Sequence, residues 1–400
     1  MKKKDITILL IKDGEIIPIS DNKRCSRNSH LMSYFELKNY KNIWLSSNFD
    51  HGSKKFIRER YIQREGKRII LFRGLGYKNN NSIKRLIHTL IFSLKAFKYI
   101  FINRKEFTHI IISYPTLETL ILLTPIINFY KKPLIIDIRD KWPPSTKQGL
   151  IYNIYKNLNY KILRKIHINE NTFLLAVSED LLNWFKNITN NKEFKNSAIC
   201  PIGSNTPFLG YKEQHIKNQD LNFIYVGSLG INYDVKGIVK ALIKLNLNCD
   251  YQIFINIVGK GHQLKDLKKL ATNNHNLKLH GFLNEKEIRN ISRKCQIGLC
   301  PHTIDGLLPN KLGEYLSYGL FIISTIKGNC QNLLDENKVG FTVDRNFLKL
   351  QDAINLYRQI DHNSTSKNIK EVYMNKFFSE KIYKDKMKNL NKFIEEKNCI

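Results

Sequence analysis

Short apolar runs alternate with stretches of helical periodicity along the first half of the chain. Uninterrupted apolar runs such as HIIIS and PLIID are typical of parallel strands that helices cover on both faces. The predicted strands are Ile6–Lys12, Asn42–Phe49, Lys67–Arg73, Thr108–Tyr114, Pro133–Asp140, Thr172–Ser178 and Ser197–Ile202. A period near 3.6 residues predicts helices over Ser82–Arg104, Thr116–Tyr130 and Tyr152–Ile166. The alternation predicts a doubly wound α/β domain.

A polar, turn-rich segment, 205–220, interrupts this pattern with Pro207, Gly210 and the run KEQHIKNQD. It reads as a linker. The alternation then restarts, with strands predicted at Asn222–Ser228, Tyr251–Val258, Asn276–Gly281, Ile297–Pro301, Phe321–Thr325 and Val339–Val343. Helices are predicted at Val235–Asn246, Gln263–Asn273, Glu285–Lys294, Lys311–Tyr318 and Asn346–Gln359. We therefore expect two Rossmann-like domains, 1–204 and 221–375, and a C-terminal helix in 376–400 that packs back on the first domain.

The charge balance changes the list of plausible partners. The 400 residues contain 65 Lys and Arg against 35 Asp and Glu, a formal net charge of +30. This excludes an acidic solvating protein and leaves nucleic acid, anionic membrane or phosphorylated small molecules as partners. The seven cysteines have no CxxC spacing, so neither a disulfide framework nor a zinc site is predicted and a reducing cytoplasm fits best.

Two apolar segments raise the question of a membrane. The run Ile6–Ile11 is too short for the core of a signal peptide, and no segment reaches the roughly 18–20 apolar residues of a membrane span. The predicted helix Ser82–Arg104 has a wide apolar face and several basic residues, namely Lys84, Arg85, Lys95, Lys98 and Arg104. It fits an interfacial helix on anionic lipid, but the sequence alone favours a core helix of a lysine-rich protein.

The carboxyl ends of parallel strands, around a crevice between the two domains, are where we expect the chemistry. The first candidate is the turn Val226–Gly230, in which Gly227, Ser228 and Gly230 allow close backbone approach. The helix that follows offers N–H groups to a phosphate, and Lys236 near its start adds a positive charge. The alternative is a plain strand-to-helix turn with a solvated lysine.

The second candidate is the segment 307–319, LLPNKLGEYLSYG, which leads into a short helix. The backbone from Leu308 through Pro309 and Asn310 to Leu312 could cradle a diphosphate, with Lys311 adding charge. Glu314 lies about one turn into this helix, and its carboxylate could accept two hydrogen bonds from a ribose diol. The alternative is a capped helix with a surface glutamate.

Weaker candidates follow other strands. Gly259 and Gly261 form a glycine pair that fails as a dinucleotide fingerprint because Leu264 occupies the last position. Phe282, after Gly281, could pack on a base, although core packing is the favoured explanation.

In the first half, charged residues follow the buried strand PLIID, and Arg139 and Asp140 could grip a substrate oxygen or form an ion-pair cluster. His51 and Tyr114 occupy equivalent strand ends.

Taken together, the motifs resemble those of the family 4 retaining glycosyltransferases of GT-B fold, in particular those that build bacterial capsule or O-antigen. The matching stretches occur in family order and cover nearly the whole chain: SSNFDH with GLGYKNNNSIKRL, IIISYPTLET, PLIIDIRDKWPP, AVSEDL, FIYVGSLGINYDVKGIVKAL, VGKG, LHGFL and LPNKLGEYLSYGLFIIST.

The resemblance implies that the C-terminal domain binds a nucleotide-sugar, with UDP-sugar favoured, and that the N-terminal domain binds the acceptor. It implies that the Gly227 turn, Lys236 and Leu308–Leu312 lie at the diphosphate and that Glu314 holds the ribose. Glu314 matches the second Glu of the family's E-x7-E pattern. Gly306 stands where the first belongs, so contact with the donor sugar would pass to Asp305 or to backbone groups.

The resemblance also implies a chemistry without cofactor or metal, in which helix N-termini, Lys236 and Lys311 stabilise the leaving diphosphate. Asp140 is a candidate base. The acceptor would be polyprenyl-diphosphate-linked or an oligosaccharide, and the enzyme cytoplasmic, peripheral on the inner face of the cytoplasmic membrane. The alternatives are a catalytically degenerate GT-B protein and a nucleic-acid-binding protein. No RRM, KH or OB signature supports the latter, and no nucleic acid is expected as a partner.

Overall fold

The computed structural model describes residues 5–18, 26–64, 67–79, 82–142, 150–210, 220–306 and 308–398, with backbone alone at 64, 150–152 and 155. The statements below concern these residues. Three predicted features fall at least partly outside them: residues 211–219 of the linker, Pro143 and Pro144 of the charged loop, and Leu307.

The chain divides into two compact units. Unit 1 consists of Met1–Ile202 and Ser379–Ile400, and unit 2 of Gly203–Phe378. Each has its own sheet and its own cores.

Unit 1 is built on an extended sheet of mostly parallel strands. Its strands are β1 (Thr7–Ile11), β2 (Lys41–Ser47), β5 (Tyr61–Arg64), β6 (Lys67–Phe72), β7 (His109–Tyr114), β8 (Leu134–Ile138), β9 (Thr172–Ala176) and β10 (Ser197–Ile199), and β3 (Phe49–Asp50) pairs separately with β4 (Lys55–Phe56). In the described residues the order is β10-β9-β8-β7-β1-β2-β6-β5, with only β5 antiparallel to its neighbour.

Helices cover both faces of this sheet. They are α1 (Arg27–Glu36), α2 (Ile83–Asn103), α3 (Leu117–Phe129), α4 (Leu150–Leu163), α5 (Glu179–Ile188), α13 (Ser379–Lys386) and α14 (Lys388–Lys397). Alternate residues of β1 show the two cores, since Ile8 and Leu10 pack with α1, α13 and α14, whereas Leu9 and Ile11 pack with α2 to α5. Apolar residues on both faces explain why the strand reads as one unbroken apolar run.

Unit 2 contains a fully parallel sheet within the described residues. Its strands are β11 (Leu221–Val226), β12 (Ile253–Val258), β13 (Leu277–Gly281), β14 (Ile297–Cys300), β15 (Phe321–Ser324) and β16 (Gly340–Thr342), in the order β13-β12-β11-β14-β15-β16. The helices are α6 (Val235–Asn246), α7 (Leu264–Thr272), α8 (Glu285–Ser292), α9 (Asn310–Ser317), α10 (Asn329–Asn337), α11 (Leu350–Gln359) and α12 (His362–Lys376). The cores again lie on opposite faces, with α6, α7 and α11 on one and α9, α10 and α12 on the other.

The helix predicted at Asn346–Gln359 begins later, at Leu350. The carboxylate of Asp344 accepts hydrogen bonds from the amides of Asn346 and Lys349, at 2.9 and 3.0 Å, and Phe347 has a φ of +61°. A left-handed residue ends helical geometry, so these residues form a turn although their composition suits a helix.

Helix α2 corrects the expectation that no segment is long and apolar enough for a membrane span. It has 21 residues, and its most apolar stretch has a mean hydropathy of 1.2, which meets the length and composition of a span. Only 28% of that stretch is buried in unit 1. A mostly buried core helix would also meet these criteria of length and composition, so the criteria alone do not identify a membrane span.

Candidate functional site

Two glycine turns stack on each other at the carboxyl ends of β11 and β12. The Gly227 amide donates to the Val258 carbonyl at 2.9 Å, and the Leu229 amide donates to the Lys260 carbonyl at 3.0 Å. Gly259 has a φ of +152°, and a Cβ added there would lie 1.8 Å from the Gly227 carbonyl oxygen. The close approach therefore requires glycine at 259, which spacing alone had marked only as a weak glycine pair.

The substitution Gly259→Ala is expected to destabilise unit 2 by well over 2 kcal/mol, because a backbone clash adds to the roughly 1–3 kcal/mol of an unfavourable φ. Urea unfolding of the two proteins measures the difference. The matched control is Gly306→Ala, where φ is +76° but a Cβ would meet nothing within 4 Å. Equal losses in the two variants would contradict the role assigned to the stacked turns.

Lys311 places a buried ammonium beside the Gly227 turn. The residue is 8% exposed and lies in the first turn of α9. Its Nζ is 3.7 Å from the ring centroid of Tyr233 and 4.1 Å from that of Tyr225. A Cβ added to Gly227 would lie 3.0 Å from the same Nζ. Cation–π contacts of this kind hold an ammonium at a fixed position beside the turn.

The aromatic residues around Lys311 are themselves fixed. The Tyr225 hydroxyl donates to the Ser228 carbonyl at 2.6 Å, and the Tyr233 ring packs edge-on against His302 at 4.6 Å. Burial raises the pKa of Tyr233 to about 12, so its phenol is neutral at physiological pH. Burial, then the charge of Lys311, lowers the pKa of His302, and its Nδ1 accepts from the Ile304 amide at 3.0 Å. The ammonium thus sits among neutral rings.

Helix α9 presents its start next to this cation. Its N-cap is Pro309, and no side chain caps it among the described residues, while Leu308 is exposed. Leu312 is buried, and Glu314 is half-buried one turn in. The Tyr315 hydroxyl accepts from the Val226 amide at 2.9 Å and donates to the Leu299 carbonyl at 3.1 Å. That bridge ties α9 to β11 and β14, so the helix start is held at the sheet edge where Gly227 lies.

The sequence suggested that the first turn of helix α6 offers its amides to a phosphate, but amides in that turn already have hydrogen-bond partners. It begins eight residues after Gly227, at Val235. The amide of Lys236 donates to Gln263 Oε1 at 3.0 Å, and that of Gly237 donates to Asp234 Oδ1 at 2.9 Å. The Lys236 ammonium forms a half-exposed salt bridge with Asp266 at 2.6 Å. Lys311, and not Lys236, is the lysine that the structure brings to the Gly227 turn.

Gly306, which occupies the position of the missing glutamate, lies in an open turn. The carboxylate of Asp305 beside it already has partners. Asp305 Oδ1 accepts from the Lys327 amide at 3.0 Å, and Oδ2 pairs with Arg345 at 2.7 Å. The amide of Gly306 donates to the Lys327 carbonyl at 3.0 Å. The polar groups at this position are therefore the backbone of the turn and the Asp305–Arg345 pair.

Phe282 lies on the surface of unit 2, 77% exposed, with the Lys260 ammonium 5.9 Å from its ring centroid. It is not part of the core, which removes the core-packing explanation. An exposed ring after a strand end can stack on a flat partner.

In unit 1, Arg139 belongs to a buried ion-pair cluster. Its guanidinium donates to Asp137 Oδ2, Glu15 Oε1 and Asn28 Oδ1, each at 2.6 Å. Arg27 donates to the other oxygen of Asp137 at 3.1 Å. Each nitrogen of the Arg139 guanidinium thus already donates to a residue of unit 1. This geometry favours the ion-pair alternative over contact with a substrate oxygen.

Tyr114 and His51 differ in what they can contact. Tyr114 is fully buried, and its hydroxyl donates to the Trp142 carbonyl at 2.8 Å, which corrects the expectation that it lies on an acceptor surface. His51 Nδ1 lies 2.5 Å from the Tyr77 hydroxyl. Burial, then the charges of Lys54 and Arg85, lowers the pKa of His51 to about 4, so the imidazole is neutral at pH 7.

Asp140 and Lys12 are oppositely charged residues that follow β8 and β1 in the chain and interact electrostatically. Asp140 is exposed at the surface, yet partial burial of its carboxyl raises the pKa. Burial, then the charge of Arg139, lowers the pKa of Lys12 to about 8, and Asp140 is among the acids that oppose this shift. Lys12 follows β1 and was not among the residues that sequence patterns singled out.

A buried Asp–His pair was also missed. His88 Nε2 lies 2.9 Å from Asp13 Oδ2, and the Gly76 amide donates to His88 Nδ1 at 3.0 Å. The Ser47 hydroxyl donates to the other oxygen of Asp13. Because Nδ1 accepts, Nε2 carries the proton and donates to the carboxylate. Asp13 and His88 are 75 positions apart in the sequence, so no local motif reveals this pair.

Within the described ranges, no three His, Cys, Asp or Glu side chains cluster in a way that could hold a metal ion.

A family model matches part of unit 2, and solved structures match nearly the whole chain. Residues 211–371 match the family model of glycosyl transferases group 1. A search of curated proteins finds no match.

Solved structures are similar over nearly the whole chain. Sucrose-phosphate synthase from Thermosynechococcus elongatus is 15% identical, with a TM-score of 0.72 over 97% of this chain and 98% of its own. Anabaena Alr3699/HepE in complex with UDP-glucose is 14% identical, with a TM-score of 0.64 over 97% and 100%. WaaG, a glycosyltransferase involved in lipopolysaccharide biosynthesis, is 11% identical, with a TM-score of 0.63 over 95% and 98%.

Identities this low establish the fold alone, and the fold is the predicted one, the GT-B arrangement of two Rossmann-like units. The family match covers only part of the chain, and it includes every element that forms the Gly227 and Lys311 site. Residues 211–371 therefore match the group 1 glycosyl transferase family model, within a chain that has the GT-B fold.

Proposed function

We propose that the protein is a retaining glycosyltransferase that moves a sugar from a nucleotide-sugar, with UDP-sugar favoured, to a lipid-linked or oligosaccharide acceptor. The observation that carries the proposal is the buried Lys311 ammonium held beside the Gly227 turn at the start of α9. A fixed cation at a helix N-terminus suits a diphosphate. The similar Anabaena protein binds UDP-glucose, which supports the choice of donor.

The chemistry follows from where negative charge develops. As the glycosidic bond to the diphosphate breaks, charge accumulates on the leaving phosphate, and Lys311 with the first amides of α9 would stabilise it. These groups are in place before reaction, so little reorganisation is needed. Retention would follow if the leaving phosphate assists an acceptor hydroxyl arriving on the same face, and such a step needs neither a dedicated base nor a bound metal.

The donor's ribose is assigned to Glu314, one turn into α9 from Lys311. A carboxylate at this position can accept hydrogen bonds from both hydroxyls of a ribose diol. The separation suits a nucleoside diphosphate, in which ribose and phosphates are adjacent groups. Phe282, exposed on the same unit, is the proposed contact for the base.

On the acceptor side, the net charge of +30 favours an anionic substrate such as a polyprenyl diphosphate, which supports the proposal of a role in surface polysaccharide synthesis. Asp140, with its raised pKa, and His51, neutral at pH 7, are the proposed acceptor contacts in unit 1.

The variant Glu314→Gln is expected to weaken UDP binding about 10- to 100-fold, since hydrogen bonds to a charged group contribute roughly 1.5–3 kcal/mol. Calorimetric titration with UDP and 2′-deoxy-UDP measures this. The wild type should prefer UDP, and the variant should lose that preference.

The control for Glu314 is Glu336→Gln, a surface residue of α10, which should bind both nucleotides as the wild type does. GDP, ADP and CMP complete the titration panel. An unchanged preference for UDP in Glu314→Gln would contradict the ribose assignment. Binding of no nucleotide by the wild type would contradict the proposed function.

A further inference from the structure

The loops at the carboxyl ends of the unit 2 strands hold their polar and aromatic residues in a definite order. The loops after β13, β11, β14 and β16 contain, respectively, Phe282, Gly227, Asp305 and Arg345. Because the sheet order is β13-β12-β11-β14-β15-β16, Phe282 and Arg345 lie on opposite sides of the Gly227 turn. A nucleotide-sugar is a linear chain of base, ribose, diphosphate and sugar. With the base at Phe282 and the diphosphate at Gly227, as proposed above, the sugar extends toward Asp305 and Arg345.

His302 links the Lys311 ammonium to this side of the sheet. Its ring packs edge-on against Tyr233, and the Lys311 ammonium contacts the same tyrosine ring. The Thr325 hydroxyl donates to the His302 carbonyl at 2.7 Å and so joins this loop to the one after β15. Burial, and then the charges of Lys311 and Arg345, lower the pKa of His302, so both cations lie close enough to act on one imidazole. A diphosphate at Lys311 therefore directs the attached sugar toward Arg345.

Gly306 leaves open space beside the Asp305–Arg345 pair. Its φ is +76°, and a Cβ added there would meet nothing within 4 Å among the described residues. The amide of Gly306 donates to the Lys327 carbonyl at 3.0 Å, which holds the turn against the loop after β15. A glutamate at this position would fill the space with a negative charge, whereas glycine adds neither bulk nor charge. The turn therefore has room for a substituent of the sugar and does not repel an anionic one.

The charges around this open turn leave an excess of positive charge. The hydrogen bond from the Lys327 amide, followed by the contact with Arg345, lowers the pKa of Asp305, so this carboxyl is ionised at neutral pH. The charge of the Lys327 ammonium also lowers this pKa, which places a second cation nearby. The carboxylate of Asp344 instead accepts from amides of the turn before α11. One carboxylate thus faces two cations at the turn.

Asp305 holds Arg345 in place without using all of its hydrogen-bond donors. The Arg345 guanidinium donates from Nη2 to Asp305 Oδ2 at 2.7 Å, and among the described residues it makes no other hydrogen bond. The Arg345 side chain is 54% exposed. A guanidinium has five N–H donors in one plane, so Nε and Nη1 can still donate to a second carboxylate. In contrast, every nitrogen of Arg139 already has a protein partner.

We propose that the donor sugar carries a carboxylate and that Arg345 selects it. The inference rests on the proposed function and adds the class of sugar, which is a nucleotide-linked sugar acid such as a hexuronate and not a neutral hexose. The sugar carboxylate occupies the space at Gly306 and accepts hydrogen bonds from Arg345, while the Lys327 ammonium adds to the attraction. A neutral sugar cannot form these charge-assisted hydrogen bonds, so the site discriminates between donors by charge.

Calorimetric titration of the full chain tests the proposal with UDP alone and with two matched pairs of donors. The pairs are UDP-glucuronate with UDP-glucose, and UDP-galacturonate with UDP-galactose. In at least one pair, the wild type is expected to bind the sugar acid about tenfold more tightly than the neutral sugar, or better. The variant Arg345→Gln should reduce this ratio to about threefold or less and bind UDP as the wild type does. Its fold should survive because the side chain is exposed, and thermal unfolding checks this.

The matched control is Arg358→Gln, which removes the same charge from another arginine of unit 2 that pairs with an aspartate. Arg358 Nη1 lies 3.7 Å from Asp250 Oδ1. Asp250 precedes β12, so this pair lies at the amino end of the strands, away from the Gly227 turn. The control variant should keep the preference of the wild type for the sugar acid.

The possible outcomes separate this inference from the proposed function. If the wild type binds UDP but does not prefer the sugar acid in either pair, the inference is wrong and the proposed function stands. A preference that persists in Arg345→Gln, or that falls equally in Arg358→Gln, would also overturn it. Weaker binding of UDP itself in Arg345→Gln would assign Arg345 to the diphosphate and not to the sugar. Failure of the wild type to bind UDP would contradict the proposed function and this inference together.

Discussion

Replacing Lys311 by methionine is expected to lower kcat/KM for sugar transfer by about 100- to 1000-fold and to weaken UDP binding strongly. Removal of one preorganised group that stabilises developing negative charge commonly has an effect of this size. Methionine keeps the length of the apolar stem between the rings of Tyr225 and Tyr233, so packing changes little. Donor hydrolysis and UDP titration measure the two effects, and thermal unfolding verifies the fold.

The comparison variant is Lys236→Met, which removes the same charge from the same unit. The Lys236 ammonium is paired with Asp266 on a half-exposed surface, and we expect less than a threefold change. Equal losses in the two variants would mean that both ammonium groups reach the diphosphate. A loss confined to Lys236→Met would reverse the assignment made from the structure.

The second large effect is on stability: Asp137→Ala is expected to lower the free energy of unfolding by about 3–5 kcal/mol. Asp137 is fully buried, and its two oxygens accept from Arg27 at 3.1 Å and Arg139 at 2.6 Å. Its removal leaves two buried guanidinium groups without their shared carboxylate. Urea unfolding followed by circular dichroism measures the loss.

An exposed ion pair provides the control for this effect. Asp266→Ala breaks the half-exposed pair with Lys236 and should lower the stability far less than Asp137→Ala does, because solvent screens an exposed ion pair. Similar losses in Asp137→Ala and Asp266→Ala would show that burial of the Asp137 cluster adds nothing to its contribution.

The pH dependence of the Asp137 effect has a definite sign. Burial acts to raise the pKa of this carboxyl, but the charges of Arg27 and Arg139 outweigh it, and the pKa is lowered. A group whose pKa is depressed by folding stabilises the native state fully above its unfolded pKa, near ~3.9, and loses that contribution as pH falls through the folded value. The difference between wild type and Asp137→Ala should therefore be constant near neutrality and shrink below about pH 4.

The fold could be predicted from the sequence because each buried parallel strand is an unbroken apolar run. The predicted strand at Ile6–Lys12 and the predicted helix at Val235–Asn246, for example, coincide with β1 and α6 within a residue. Local patterning was insufficient where a side chain redirects the backbone, as Asp344 does before α11.

The candidate site was predictable in outline only. Glycines at strand ends indicated where a backbone could approach a ligand, but spacing could not decide which lysine would reach that point. The partners that decide it, Asp266 for Lys236 and the rings of Tyr225 and Tyr233 for Lys311, come from separate elements. Both tyrosines stand in the stretch FIYVGSLGINYDVKGIVKAL, but nothing in the sequence assigned them a role beside Lys311.

Helices α13 and α14 belong to unit 1, although 176 residues of unit 2 separate them from the rest of it. They supply Tyr383, Leu390 and Phe393 to the core that also holds Leu31 and Trp44. On the ribosome, unit 2 is complete before these helices are made, and the part of the unit 1 sheet that they cover, beside α1, stays exposed until then. We expect unit 2 to reach its native state first during translation, and unit 1 to depend on chaperones that shield its apolar sheet until α13 and α14 are made.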